Sequence, residues 1–311
     1  MRLVVLAVLG LVPLAAVGLL VCVLVLATRA RRVPAAAVRR LDGRRAWLRP
    51  IGAALGVAAG AAVAAWDPLG RGVLLAPAVV ATGVLVGVLV AELVVAPPRG
   101  PRRSAGLATR RVRDVLPRRL SVAVGVAAVG LLVLCSATAL AASPDDLGRA
   151  GRALRGVCTD GSVTTTTPWP GSWYVVPLLL LVGLGLVLAL AVLTAVVRRP
   201  PLASPDGSTY ADAHVDAELR AQSARTVTAA VGLLVGVPYL GVALVAATTV
   251  HPCVPSPGLV LLLLLAPLPL VTALVVWCTA LLLTGRHAPA HHATTAGRAT
   301  VAAPPVAGSR A

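Results

Sequence analysis

The sequence predicts an all-α fold, a polytopic membrane helix bundle of seven transmembrane helices with its N-terminus outside and its C-terminus inside. Three observations lead to it. The chain is 58% hydrophobic with 13% charged residues and a mean hydropathy of +0.90, whereas about a quarter of the residues in soluble domains are charged. Seven apolar runs are long enough to cross about 30 Å of hydrocarbon. The arginines are distributed very unevenly among the segments between them.

The expected spans, in order, are 3–27, 50–66, 73–96, 120–142, 174–197, 226–249 and 259–284. Pro13, Pro77, Pro177, Pro238, Pro267 and Pro269 fall inside them. Neighbouring helices can satisfy the carbonyls that a membrane proline frees, so these prolines do not exclude helices. The first run is about 25 residues, longer than the 7–15 of a signal-peptide core, and is expected to stay as a helix. The alternative is cleavage near ATRA (27–30), which leaves six spans. Residues 198–225 open as a Pro/Ser/Gly linker, and ADAHVDAELRAQSAR then runs into the sixth span as helix. The tail 286–311 has no apolar period, and disorder is expected there.

Arginine counting sets the orientation. Segments 28–49 and 97–119 hold eight arginines each, 198–225 holds four and the tail three. Placing these segments in the cytoplasm puts 23 of the 28 arginines inside and leaves Arg2, Arg71, Arg149, Arg152 and Arg155 outside. The net charge of +17 is therefore read as membrane threading, with anionic lipid as the partner of the inner loops. Nucleic acid is not expected, because no folded basic module with interleaved aromatics exists. The chain lacks Lys, Asn and Phe and has one Ile, Ile51. That bias reads as a GC-rich bacterial genome, and it rules out lysine-dependent P-loop and Schiff-base chemistry.

Glu92 is the one formally charged residue inside a span. An intramembrane carboxylate is a candidate proton relay or ion ligand, but near the cytoplasmic end it can also reach headgroup water or pair with arginine. Gly52, Gly56 and Gly60 form a double GxxxG motif, a helix-packing face toward the bundle or toward another subunit. The spacing recurs at Gly83/Gly87 and Gly232/Gly236, which makes it less specific. His214, His251, His287, His291 and His292 all lie outside the spans, so a bundle haem is not expected. No catalytic motif, metal site or cofactor site is expected. Trp47, Trp66, Trp169, Trp173 and Tyr174 read as interface anchors, and Trp277 and Tyr239 as core.

Residues 143–173 form the outer cap. Ser143 reads as the N-cap of a short amphipathic helix, with Pro144 at its first position, Asp145 and Asp146 in the first turn and Gly156 at its end. Gly148 and Gly151 weaken that reading, each by about 1 kcal/mol. Cys158 and Cys253 are the cysteines of the outer segments and are expected to pair in an oxidising compartment, whereas Cys22, Cys135 and Cys278 lie in spans. The runs SPDDLGRAGRAL (143–154), PWPGSWY (168–174), ELVVAPPRGP (92–101) and RRVRDVLP (110–117) resemble uncharacterised seven-span integral membrane proteins of GC-rich actinobacteria. The resemblance covers most of residues 1–285 and implies no activity, ligand or site.

These readings point to a multi-pass protein of the bacterial cytoplasmic membrane that is not an enzyme, a scaffold or accessory component with a membrane protein as partner. One alternative is a small transporter or channel using Glu92. Another is an envelope enzyme using the outer-loop carboxylates Asp145 and Asp146.

Overall fold

The computed structural model describes residues 36–66, 70–94, 115–198 and 209–284. The expected span 3–27, most of the arginine-rich segment 97–119, the start of the 198–225 linker and the tail 286–311 lie outside the described residues.

Helix α1 spans Ala36–Trp66, α2 Arg71–Leu93 and α3 Arg118–Leu140. A two-stranded hairpin follows, β1 Leu154–Val157 and β2 Val163–Thr166. Then come α4 Ser172–Arg198, α5 Thr209–Thr249, α6 Pro257–Leu265 and α7 Leu268–Thr284. Apolar backbone in hydrocarbon must satisfy its own N–H and C=O groups, and helices do so within one segment. Six segments among the described residues are long and apolar enough to cross a membrane, with α6 and α7 counting as one broken span. The break falls where Pro267 and Pro269 remove the N–H groups that would otherwise bond the carbonyls of Leu263 and Leu265.

Two helices extend beyond the apolar runs. α1 begins at Ala36 and carries the second half of the arginine-rich segment expected as loop 28–49. α5 is 41 residues long, because the polar stretch before its span is continuous helix.

α5 is the central helix and packs against α2, α3, α4, α6 and α7. Of its apolar window 72% is buried, whereas no other span exceeds 33%. Val227, Leu234, Val235, Val242 and Ala246 fill the middle of the core. α1 lies at the edge and packs chiefly on α2. The outward faces of α3, α4 and α6–α7 carry a broad belt of exposed Leu and Val, far more apolar surface than a water-soluble monomer shows.

The glycines of α1 explain its contact with α2. Gly52, Gly56 and Gly60 are all buried. A Cβ on Gly56 would lie 2.8 Å from the Val80 carbonyl oxygen, and one on Gly87 would lie 2.9 Å from the Gly52 Cα. Gly83/Gly87 are therefore the facing half of the contact. Small residues on both helices let the two backbones touch.

The six segments alternate in direction, so the bundle has two distinct ends. The hairpin, the start of α2 and the end of α5 share one end. Glu92, the ends of α2 and α4 and the polar part of α5 share the other.

Candidate functional site

At the end away from the hairpin, α2 is apolar until Glu92, whose side chain is 0% exposed. A buried carboxylate is costly unless it is paired and hydrogen-bonded. Both conditions are met here. Arg49 Nη2 of α1 donates to Glu92 Oε1 at 3.0 Å, and the Ser223 hydroxyl of α5 donates to the same oxygen at 2.8 Å. The same Arg49 nitrogen also donates to Ser223 Oγ at 2.9 Å. Three helices are joined through one carboxylate oxygen, over sequence separations of 43, 131 and 174 residues.

One turn before Ser223, on the same face of α5, Arg220 is also buried. Its Nη1 donates to the carbonyls of Val196 and Val197, both at 2.9 Å. Those carbonyls belong to the last turn of α4, which has no helical donors left, and a cation there complements the helix dipole. Glu218 and Arg225 form a further ion pair on α5 at 3.5 Å. Arg49 is 30% exposed, so it reaches from the rim inward to Glu92. Chemically this is a neutralised, hydrogen-bonded carboxylate flanked by fixed cations.

The hairpin end differs from the expectation for residues 143–156. There is no amphipathic helix. Gly148 and Gly151 adopt φ of +76° and +72°, values no right-handed helix allows. Ser143 instead bridges Ala153 through backbone bonds of 2.8 and 3.2 Å, and Leu154–Val157 pairs antiparallel with Val163–Thr166. Asp145 is therefore not in a helical first turn. It holds a turn, with Oδ1 accepting from the Leu147 and Arg149 N–H groups at 3.1 and 2.8 Å and Oδ2 from Arg149 Nε at 2.7 Å. Burial works to raise the pKa of this carboxyl, but the bonds and charge from Arg149, with the Leu147 N–H, outweigh it and hold it below the usual carboxylate range. Asp146 is exposed beside it. Asp160, in the turn between the strands, is held low by the Ser162 hydroxyl and N–H. Gly156 does not stop a helix. It sits in β1, where a Cβ would lie 2.7 Å from the Cys253 carbonyl oxygen.

Cys158 and Cys253 form a disulfide that ties the end of β1 to the connection between α5 and α6. Cys135 and Cys278 are free and buried in helices. Thr166 Oγ1 donates to the Thr249 carbonyl at 3.0 Å, which fastens the hairpin to the end of α5. Both ring nitrogens of His251 are buried without a hydrogen-bond partner.

The five tryptophans take different places. Trp47 and Trp66 are well exposed near the two ends of the apolar part of α1. Trp169, expected at the interface, is 3% exposed and donates its indole N–H to the Thr138 carbonyl at 2.7 Å, plugging the end of α3. Trp277, expected in the core, is 45% exposed on α7. Tyr239 is buried against the space that Gly130 leaves open. Trp173 has two guanidinium groups over its ring, Arg152 at 3.9 Å and Arg71 at 4.5 Å from the ring centre.

His214 lies on α5, but its side chain is outside the described residues, as are Cys22, His287, His291 and His292 altogether. Among the described residues no group of three or more His, Cys, Asp or Glu side chains could hold a metal ion. Arg49, Ser223 and Arg220 escaped the sequence reading. The one signal pointing toward them was that Glu92 lies at an arginine-rich end.

The architecture is that of a helical membrane-type bundle with a covalently stapled hairpin at one end. Comparison with protein-family models, with curated proteins and with solved structures finds no match to the chain.

Proposed function

We propose that the protein is a multi-pass component of a bacterial cytoplasmic membrane that works without catalysis, as a scaffold or accessory subunit for a membrane protein partner. The observation that carries this reading is the Arg49–Glu92–Ser223 junction. A carboxylate that relays protons or binds ions in transit needs to change partners. Glu92 is instead fully enclosed, with its charge neutralised and one oxygen bonded to two other helices. The test is solute and proton flux in liposomes containing the purified protein. Glu92-dependent flux rejects the scaffold reading in favour of a small transporter. Unchanged behaviour of an Asp145→Ala/Asp146→Ala variant removes the support for an envelope enzyme.

The same proposal includes seven spans, the first at 3–27, with the hairpin end outside and the arginine-rich end facing anionic lipid in the cytoplasm. The disulfide supports that orientation, since such bonds persist in oxidising compartments. Single cysteines placed in 28–49 and 143–173 of a Cys158→Ser/Cys253→Ser background test it. Membrane-impermeant maleimide added to intact cells is expected to label only the second set, and the reverse pattern rejects the topology.

A further inference from the structure

The edge helix α1 has two unlike sides. Gly52, Gly56 and Gly60 are buried toward α2. On the opposite side, by helical spacing, Ala54, Ala58, Ala61, Ala62 and Ala65 are exposed. We propose that this open side of α1 is the seat of residues 3–27, packed antiparallel to it as the neighbouring span. The proposal rests on the reading of 3–27 as a membrane span and adds the surface that receives it.

The first argument is the tether. Eight residues, 28–35, separate the segment from Ala36, and extended chain over that distance reaches about 30 Å. From Ala36 to Trp47, α1 runs about 16 Å along its axis before its apolar part begins. Retracing that rise leaves about 25 Å of sideways reach, whereas packed helices sit 8–10 Å apart. The segment is thereby confined to α1 and its near neighbours, and the glycine side of α1 is already filled by α2. A short tether also holds the segment beside α1 at an effective concentration on the order of millimolar. A second copy of the chain would have to exceed that to take its place.

The second argument is the chemistry of the two faces. Elsewhere the outward surfaces carry large aliphatic side chains, such as Val126 and Val129 on α3 and Leu184 and Val187 on α4. α1 presents alanine instead. Small residues favour close approach of a second helix, whereas lipid tails pack equally well on Leu and Val. The segment 3–27 has matching residues, because Ala7, Gly10, Gly18 and Cys22 recur at helical spacing. Its 25 apolar residues are long enough to cover the whole apolar part of α1, Trp47–Trp66.

The test is disulfide cross-linking of the full chain in its membrane. A Cys135→Ala/Cys278→Ala background leaves Cys22 as the native free thiol, and a specific protease site is placed within 28–35. Antiparallel packing with residue 27 level with Trp47 brings Cys22 beside Ile51 and Ala54. Oxidation of Ala54→Cys, or of Ile51→Cys where the first does not fold, is expected to keep the two cleavage fragments joined until reduction. Joining should be at least about tenfold faster than for Val129→Cys on the outward face of α3, through the higher effective concentration. An N-terminal epitope reached by antibody outside intact spheroplasts reports that the segment is retained and crosses the membrane. Its absence there removes the seven-span reading and this proposal with it. An epitope outside, with Cys22 joining α1 no faster than α3, overturns the proposal and leaves the seven-span reading in place. Covalent dimers formed through Ala54→Cys in place of the internal link also overturn it, because a second copy would then hold the face.

Discussion

Glu92 shows what a single side chain costs and contributes in this bundle. Removing one partner of a buried ion pair leaves the other charge uncompensated, typically at 3–5 kcal/mol. Glu92→Ala is expected to destabilise the protein by about 3 kcal/mol in detergent or bicelle unfolding, and Ser223→Ala by about 2 kcal/mol, because the bond lost is to a charged group. Replacing both ions, in Arg49→Met/Glu92→Leu, should cost less than Glu92→Ala. A larger loss would show that the pair does more than neutralise itself. Asp145 makes a prediction about pH. Its carboxyl titrates below the ordinary carboxylate range in the folded hairpin. Its ionised form therefore stabilises the fold fully above the unfolded carboxylate pKa, and that stability disappears as pH falls through the lower folded value. Asp145→Asn keeps an oxygen for the two backbone N–H groups but should flatten this acid limb of the stability profile, measured by thermal melts from neutral to strongly acidic pH.

Helices were easier to anticipate than their faces. A bilayer demands about 20 apolar residues for a crossing, and six of the expected segments are helices to within a few residues at most ends. Cys158–Cys253 was legible because the other three cysteines fall in segments expected as spans. Which side of a span faces inward was not legible, because lipid and core are both apolar. Trp277 therefore points outward where packing was expected. The hairpin was hidden for a different reason. Ser-Pro-Asp-Asp imitates a helix start, and only the positive φ of Gly148 and Gly151 excludes a helix. Gly83/Gly87 looked like a diluting repeat of the GxxxG spacing and are in fact the surface that Gly52 and Gly56 press against. Gly56→Leu should force α1 from α2 and cost about 2 kcal/mol, in the range of overpacked cores. The same change at Gly258, where a Cβ meets nothing within 4 Å, should be nearly silent. Loss of Cys158 removes the cross-link over 95 residues. The effect is on the order of 4 kcal/mol by chain entropy alone and smaller where the bilayer already holds the helices.

At the scale of the whole molecule, the two ends are built on different principles. The hairpin end is fastened covalently and by backbone bonds, and the far end by one shared carboxylate oxygen and one buried guanidinium. Reducing agent should therefore loosen the first end and leave the second in place. Hydrogen exchange is the appropriate readout, with faster exchange expected in residues 143–172 and unchanged protection around Ser223. The shared oxygen of Glu92 also carries information about time. Its cation, on α1, precedes it by 43 residues, while its hydroxyl donor follows 131 residues later. At roughly 5–20 residues per second of synthesis, Arg49 and Glu92 are both in the chain on the order of ten seconds before Ser223 is added. The hydroxyl donor carried by the central helix is thus the last of the three groups to be made, after the carboxylate and its cation.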